Sequence, residues 1–106
     1  MVKTVTKFDD YQEACLKTWT LDDERPYSDH LLHVAVGLAS EAGEFAGLID
    51  KQVFKPNKRI TREQLIDELG DVMYNVAMAA YLMGITLTEL QQANMEKLKD
   101  GHGWIE

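Results

Sequence analysis

Two stretches of this chain, residues 29–52 and 62–83, place apolar side chains at alternating steps of three and four. A short polar segment, KPNKR at 55–59, separates them. Leu31, Ala35, Leu38, Ala42, Phe45 and Ile49 make the stripe in the first stretch; Leu65, Leu69, Val72, Val76, Ala79 and Met83 make it in the second. That spacing marks one face of a helix. Pro56 disfavours helix at Lys55 and Asn57 suits a turn, so the break predicts two helices joined by a short loop. A connection this short favours an antiparallel hairpin. The chain is therefore expected to be all-α and four-helix bundle-like, with two long antiparallel helices flanked by shorter ones.

The flanking segments supply the short helices. Thr6 or Asp9 can start a first helix over roughly YQEACLKTWTL, which fades at Asp22–Arg25 and Pro26. Ser28 precedes the first long stretch, read as about Asp29 to Gln52. Thr61 with Gln64 three residues later is a capping box that opens the third helix, which stops at Gly84. Thr86 and Glu89 repeat the device for a fourth helix ending near Asp100–Gly101. HGWIE at the end reads as an irregular tail, and no stretch alternates like a strand.

Length and composition narrow the functions. A chain of 106 residues is most simply one domain, residues 1–106, with a modest core. With 45% hydrophobic and 27% charged residues, it is not a disordered sequence. No apolar run is read as reaching membrane-spanning length, and MVKTVTKFDD lacks the hydrophobic stretch of a signal peptide. The single cysteine, Cys15, cannot form an internal disulfide, which fits a cytoplasmic protein; it reads as a small buried residue on the first helix rather than a nucleophile. A net charge of −7 argues against nucleic acid as a partner. An anionic substrate would need a metal or local basic residues to hold it.

The long stretches share a second pattern. LASEAGEF (38–45) and LIDELGDV (65–72) both read L-x-x-E-x-G-[E/D]-apolar. Glu41 and Glu44 project together on one helix, Glu68 and Asp71 on the other, each pair at a flank of its stripe. In an antiparallel hairpin, facing residues have a constant index sum. Glu41 with Asp71 and Glu44 with Glu68 both add to 112, whose midpoint is Pro56. All four carboxylates are thus expected at one level, with Gly43 and Gly70 beside them, where backbones or a ligand can come close. One pair of like charges ~4 Å apart repels by about 4 kcal/mol at an effective dielectric near 20. Either some are protonated or a cation sits among them. The all-oxygen set favours Mg²⁺, Mn²⁺ or Ca²⁺ over zinc. Taken singly, acidic i,i+3 pairs are usually solvated surface groups; the doubled pattern favours a metal.

These motifs, SEAGEF and DELGDV, resemble the MazG-like nucleotide pyrophosphohydrolases. That all-α superfamily includes dimeric dUTPases and phosphoribosyl-ATP pyrophosphohydrolases. FDDYQEACLKTW is similar to the family's opening helix, HLLHVAVGLASEAGEF to its first acidic helix and NMEKL (94–98) to its closing helix. One position departs: Ser40 stands where the family's E-E-x-x-E has its leading Glu. The resemblance implies hydrolysis of (deoxy)nucleoside triphosphates to the monophosphate and pyrophosphate, a house-cleaning of nucleotide pools. Glu41, Glu44, Glu68 and Asp71 would be catalytic and would hold Mg²⁺, with Mn²⁺ able to replace it. Such ions would neutralise triphosphate oxygens and lower the pKa of a bound water.

Substrate contacts are sought among polar and basic residues. Asn75, one turn after Asp71, can bond sugar or base, or be a satisfied polar residue at the core edge. Lys51, about 10 Å along the helix from Glu44, and Lys97 with Asn94 are better placed for phosphates than the turn residues Lys55, Lys58, Arg59 and Arg62. Trp19 can stack on a base or belong to core or interface. His30 and His33 share a face as local polar contacts or a pocket rim. A rival class is a non-catalytic interaction module with a structural Ca²⁺, which Ser40 favours; a di-iron bundle is opposed by the absence of an E-x-x-H pair. Apolar residues outside the stripes, namely Leu32, Val34, Val36, Leu48, Ile66, Met73, Tyr74 and Met78, predict a two-fold homo-oligomer, dimer or tetramer.

Overall fold

The computed structural model describes residues 4–19, 24–55 and 57–102, the side chains of 101 and 102 excepted. It contains α1 (Phe8–Lys17), α2 (Tyr27–Phe54), α3 (Arg62–Leu82) and α4 (Leu87–His102), with no strand among the described residues. The all-α expectation is met. The turn proline, Pro56, and tail residues 103–106 lie outside the described residues, and α4 takes in His102, which was assigned to the tail.

Local chemistry sets the boundaries. Thr61 and Gln64 form the capping box of α3: the Gln64 N–H donates to Thr61 Oγ1 at 3.2 Å and the Thr61 N–H to Gln64 Oε1 at 2.8 Å. At the other end Gly84 takes a left-handed φ of 76°. The Ile85 N–H reaches the Ala80 carbonyl and the Gly84 N–H the Tyr81 carbonyl, a Schellman closure that only glycine enters without strain. Thr86 and Glu89 then cap α4 in the same reciprocal way. Helix α2 runs two residues further at each end than its periodicity indicated, and neither Pro26 nor Ser28 gives it a side-chain cap.

Helix α1 differs more. It starts at Phe8 with no side-chain cap, so neither Thr6 nor Asp9 plays that part. Asp9 Oδ1 instead accepts the Thr88 N–H of α4 at 2.9 Å. Gln12, buried, donates from Nε2 to the carbonyls of Ala77 and Ile85, both at 3.1 Å, and accepts the Leu87 N–H at 3.2 Å. With Thr86 taking the Glu89 N–H, the first three donors of α4 all find partners. α1 is thus fastened to the α3–α4 turn by polar bonds that no local pattern announces.

Helices α2 and α3 pack along an antiparallel hairpin, while α1 and α4 pack on α3 and on each other; α3 is the helical neighbour of α2. The core sits at the open end of the hairpin: Cys15, Val34, Ala77, Met78, Ala80, Leu82 and Leu87. Two expectations are corrected here. Val34 and Met78, assigned to outer faces, are 3% and 1% exposed. Ala35, Ala42, Ile49, Leu69 and Met83, assigned to the stripes, are exposed. The inward faces run through Val34, Leu38, Glu41, Phe45 and Leu48 on α2 and Leu65, Glu68, Val72, Asn75 and Ala79 on α3. Both stripes are turned by about one residue. α2 is apolar over most of its circumference, so its period fixes a helix but not which side faces in.

By length and composition alone α2 could cross a membrane, which corrects the statement that no run reaches that length. Every 18-residue window of it contains Glu41 and Glu44, and core helices of water-soluble proteins meet the same criterion.

Candidate metal centre

The rotation of the stripes moves carboxylates from the flank into the seam. Glu41 stands between Leu38 and Phe45 on the inward face of α2, Glu68 between Leu65 and Val72 on that of α3, and both are half-buried. One oxygen from each of Glu41, Glu44 and Glu68 lies within 4.8 Å of the other two. Adjacent ligand oxygens around a cation at 2.1 Å stand about 3 Å apart, so small side-chain movements suffice to close the set. Asp71 is exposed and stands outside this trio, although its charge is felt by Glu41.

The electrostatics fit an unbalanced site. Burial raises the Glu41 carboxyl above its usual value; hydrogen bonding to the Glu68 carboxyl, when that group carries the proton, lowers it, and the charges of Glu44 and Asp71 raise it. Glu68 is pushed up to about 7, first by burial and then by the neighbouring carboxyls of Glu41 and Glu44. Glu41 Oε2 and Glu68 Oε2 are sealed from solvent and have no hydrogen-bond partner. Two orphaned carboxylate oxygens, one from each helix of the seam, are costly unless a proton or a cation satisfies them. The donors are hard oxygens without nitrogen or sulfur, so the residues present fit Mg²⁺ or Mn²⁺.

The expected neighbours are placed unevenly. Asn75 is half-buried one turn from Asp71, its Nδ2 donating to the Asp71 carbonyl at 2.9 Å. Gly43 and Gly70 have nothing within 4 Å of where a Cβ would stand. They do not bring the backbones together, and the space beside them is open to a ligand. Lys51 is exposed in the last turn of α2. Asn94 and Lys97 are exposed on α4, which makes no contact with α2 among the described residues. Trp19 meets His30 edge to face at 6.1 Å. Both line an open cavity of about 680 Å³ with Arg25, Asp29, Leu32, His33 and Val36. Two residues escaped the sequence reading. Gln12 leaves no local trace. Gly37 was detectable, since its index and that of Asn75 also add to 112.

Residues 30–105 match the family model of the MazG nucleotide pyrophosphohydrolase domain. The chain belongs to that family. Its members act on nucleotides and are typically dependent on a divalent cation. The chain is similar to the Gene 37 protein of Mycobacterium phage L5, 39% identical over 72 residues, covering 65% of this chain and 63% of the phage protein. It is also similar to the Bacillus subtilis (strain 168) protein called Uncharacterized protein YvdC, 33% identical over 85 residues, covering 72% of this chain and 80% of that one. The match thus spans less than two thirds of the phage relative's length. No solved structure matches the chain significantly.

Proposed function

We propose that this MazG-family protein hydrolyses (deoxy)nucleoside triphosphates to the monophosphate and pyrophosphate in the cytoplasm, clearing surplus or non-standard nucleotides. The observation that carries this reading is the pair of buried, partnerless oxygens on Glu41 and Glu68 beside Glu44. Glu41, Glu44 and Glu68, with Asp71 turning in, would hold Mg²⁺ or Mn²⁺. The bound cation supplies charge neutralisation for the triphosphate and acidifies the attacking water. Water adds at the α-phosphorus, the bond to the β-phosphate oxygen breaks, and pyrophosphate leaves. A carboxylate oxygen of the cluster that the cation leaves free would accept the water's proton.

The nucleoside end is assigned to the cavity of Trp19, His30 and His33. Val36, on its wall, is five residues from Glu41, about 7.5 Å along the helix. Lys51, Lys97 and Asn94 are assigned to the phosphates, the two on α4 reaching them from a second copy of the chain. A homo-oligomer would also cover Leu32, Val36, Ile66 and Met73, which stand exposed on α2 and α3.

The deciding assay measures pyrophosphate release from a panel of nucleoside triphosphates with and without Mg²⁺. Release that needs Mg²⁺ is expected; none with any triphosphate would overturn the reading in favour of a structural cation module. Light scattering at micromolar concentration tests the assembly, and a clean monomer mass with full activity would remove the second copy from the site.

A further inference from the structure

The glycine whose Cβ would meet the facing helix belongs to neither acidic motif. A Cβ built on Gly37 would lie 2.6 Å from Asn75 Oδ1 and 3.4 Å from its Cγ, the first distance well inside van der Waals contact. Gly43, Gly47 and Gly70, on the same two helices, have nothing within 4 Å. The Asn75 amide is also anchored on its own helix, since its Nδ2 donates to the Asp71 carbonyl one turn back. That bond orients the side chain and leaves Oδ1 in the space that a Cβ on Gly37 would enter.

The placement relative to the carboxylates matters. Gly37 is one turn from Glu41 on α2, and Asn75 is one turn from Asp71 on α3. The partnerless oxygens of Glu41 and Glu68 come from opposite helices, so their separation follows the distance between α2 and α3. Small divalent ions accept little error in ligand spacing: Mg²⁺ demands near-ideal octahedral geometry at about 2.1 Å. A contact that sets the helix separation one turn away therefore sets whether the carboxylates can close on one ion.

We propose that Gly37 and Asn75 form a spacer pair that fixes the approach of α2 and α3 and thereby tunes cation binding by Glu41, Glu44 and Glu68. Asn75 is then a positioning residue rather than a contact to sugar or base. A methyl group at residue 37 must displace the Asn75 amide, which either gives up its bond to the Asp71 carbonyl or pushes the helices apart. The inference rests on reading the carboxylates as a cation site.

The test is Mn²⁺ binding by the nucleotide-free full chain, followed by the electron paramagnetic resonance signal of free Mn²⁺. Gly37→Ala is expected to weaken binding by about tenfold, the lower end of what outer contacts to a metal site usually contribute. Its helix should remain intact, since alanine is the better helix former, and circular dichroism checks this. Gly37→Ala combined with Asn75→Ala should recover most of the affinity, because the clashing amide is gone. Unchanged binding in Gly37→Ala, or no recovery in the double variant, would overturn the spacer. An unaltered protein that binds no Mn²⁺ would overturn the cation reading and this inference with it. If Asn75 touches substrate instead, Asn75→Ala raises KM without any dependence on residue 37, a result that also rejects the proposal.

Discussion

The two ends of the α2–α3 hairpin are built on different terms. At the open end, α1 and the start of α4 close over Val34, Ala77, Met78 and Leu82, and polar bonds from Gln12 and Asp9 tie the layers together. At the loop end, α2 and α3 have only each other among the described helices: Val53, Ile66 and Leu69 are exposed and Phe54 is 75% exposed. The carboxylates sit on the stretch between. The hairpin is held firmly at one end by buried area, while the seam to which the chemistry is assigned depends on the contact between α2 and α3. Stability and function are therefore separable along one pair of helices.

The widest contrast should come from Met78. Met78→Ala removes a fully buried side chain from the open end and is expected to lower stability by about 2–5 kcal/mol, read by denaturant unfolding. A loss below 1 kcal/mol would mean that this end is not the core. Next in size, Glu68→Gln and Glu41→Gln should lower pyrophosphate release by roughly a hundredfold or more while leaving the metal-free melting temperature unchanged or higher, since each relieves a charge held at a cost. Near-normal turnover in either would remove that residue from the proposed ligands.

Acidity sharpens the same separation. Folded Glu68 titrates at about 7 against an ordinary value of 4.5. Between those values the folded chain holds more proton than the unfolded chain, so this group's stabilisation is complete below 4.5 and fades as pH rises towards 7. Metal-free protein should melt higher at pH 5 than at pH 8, and the stabilisation by Mg²⁺ should grow in the opposite direction, because ion and proton compete for the same oxygens. A melting temperature that climbs with pH in the absence of metal would contradict the raised carboxyl.

Smaller effects are expected away from the seam. Ser40 is exposed, so Ser40→Glu should change activity by no more than a few fold; an inactive or unfolded variant would mean that this site departs from its relatives. Leu69→Ala should cost under about 1 kcal/mol at low protein concentration. The cost should grow as concentration rises if a second copy covers the loop end, since assembly stabilises by mass action. A loss equal to that of Met78→Ala at every concentration would abolish the distinction between the two ends.

Much of this was legible in the sequence because it is local. The capping boxes of Thr61–Gln64 and Thr86–Glu89, the stop at Gly84 and the convergence of Glu41, Glu44 and Glu68 all follow from spacing within a turn or across one short loop. The phase of α2 was not legible, because Val34 and Ala35 are equally acceptable as inward residues on a helix apolar nearly all round. Hydrophobic logic put the glutamates beside the seam; the fold puts them in it, the kind of local rule-breaking expected where function outweighs packing. Gln12 could not be read at all, since its partners are set by how distant segments dock.

Those partners also fix an order of events as the chain emerges during synthesis. The bonds of Gln12 reach residues 65, 73 and 75 positions later, so α1, made before the other three helices, is among the last to be seated. Contacts this far apart along the chain form late, after local ones have reduced the search. Helices α2 and α3 can meanwhile close on each other, bringing Glu41, Glu44 and Glu68 together while α1 still waits for the turn at residues 85–88. A nascent chain at that stage would already hold its acidic seam while the surface of Ala77 and Met78 is bare, which makes the interval before α1 docks the one in which this protein is most exposed to aggregation.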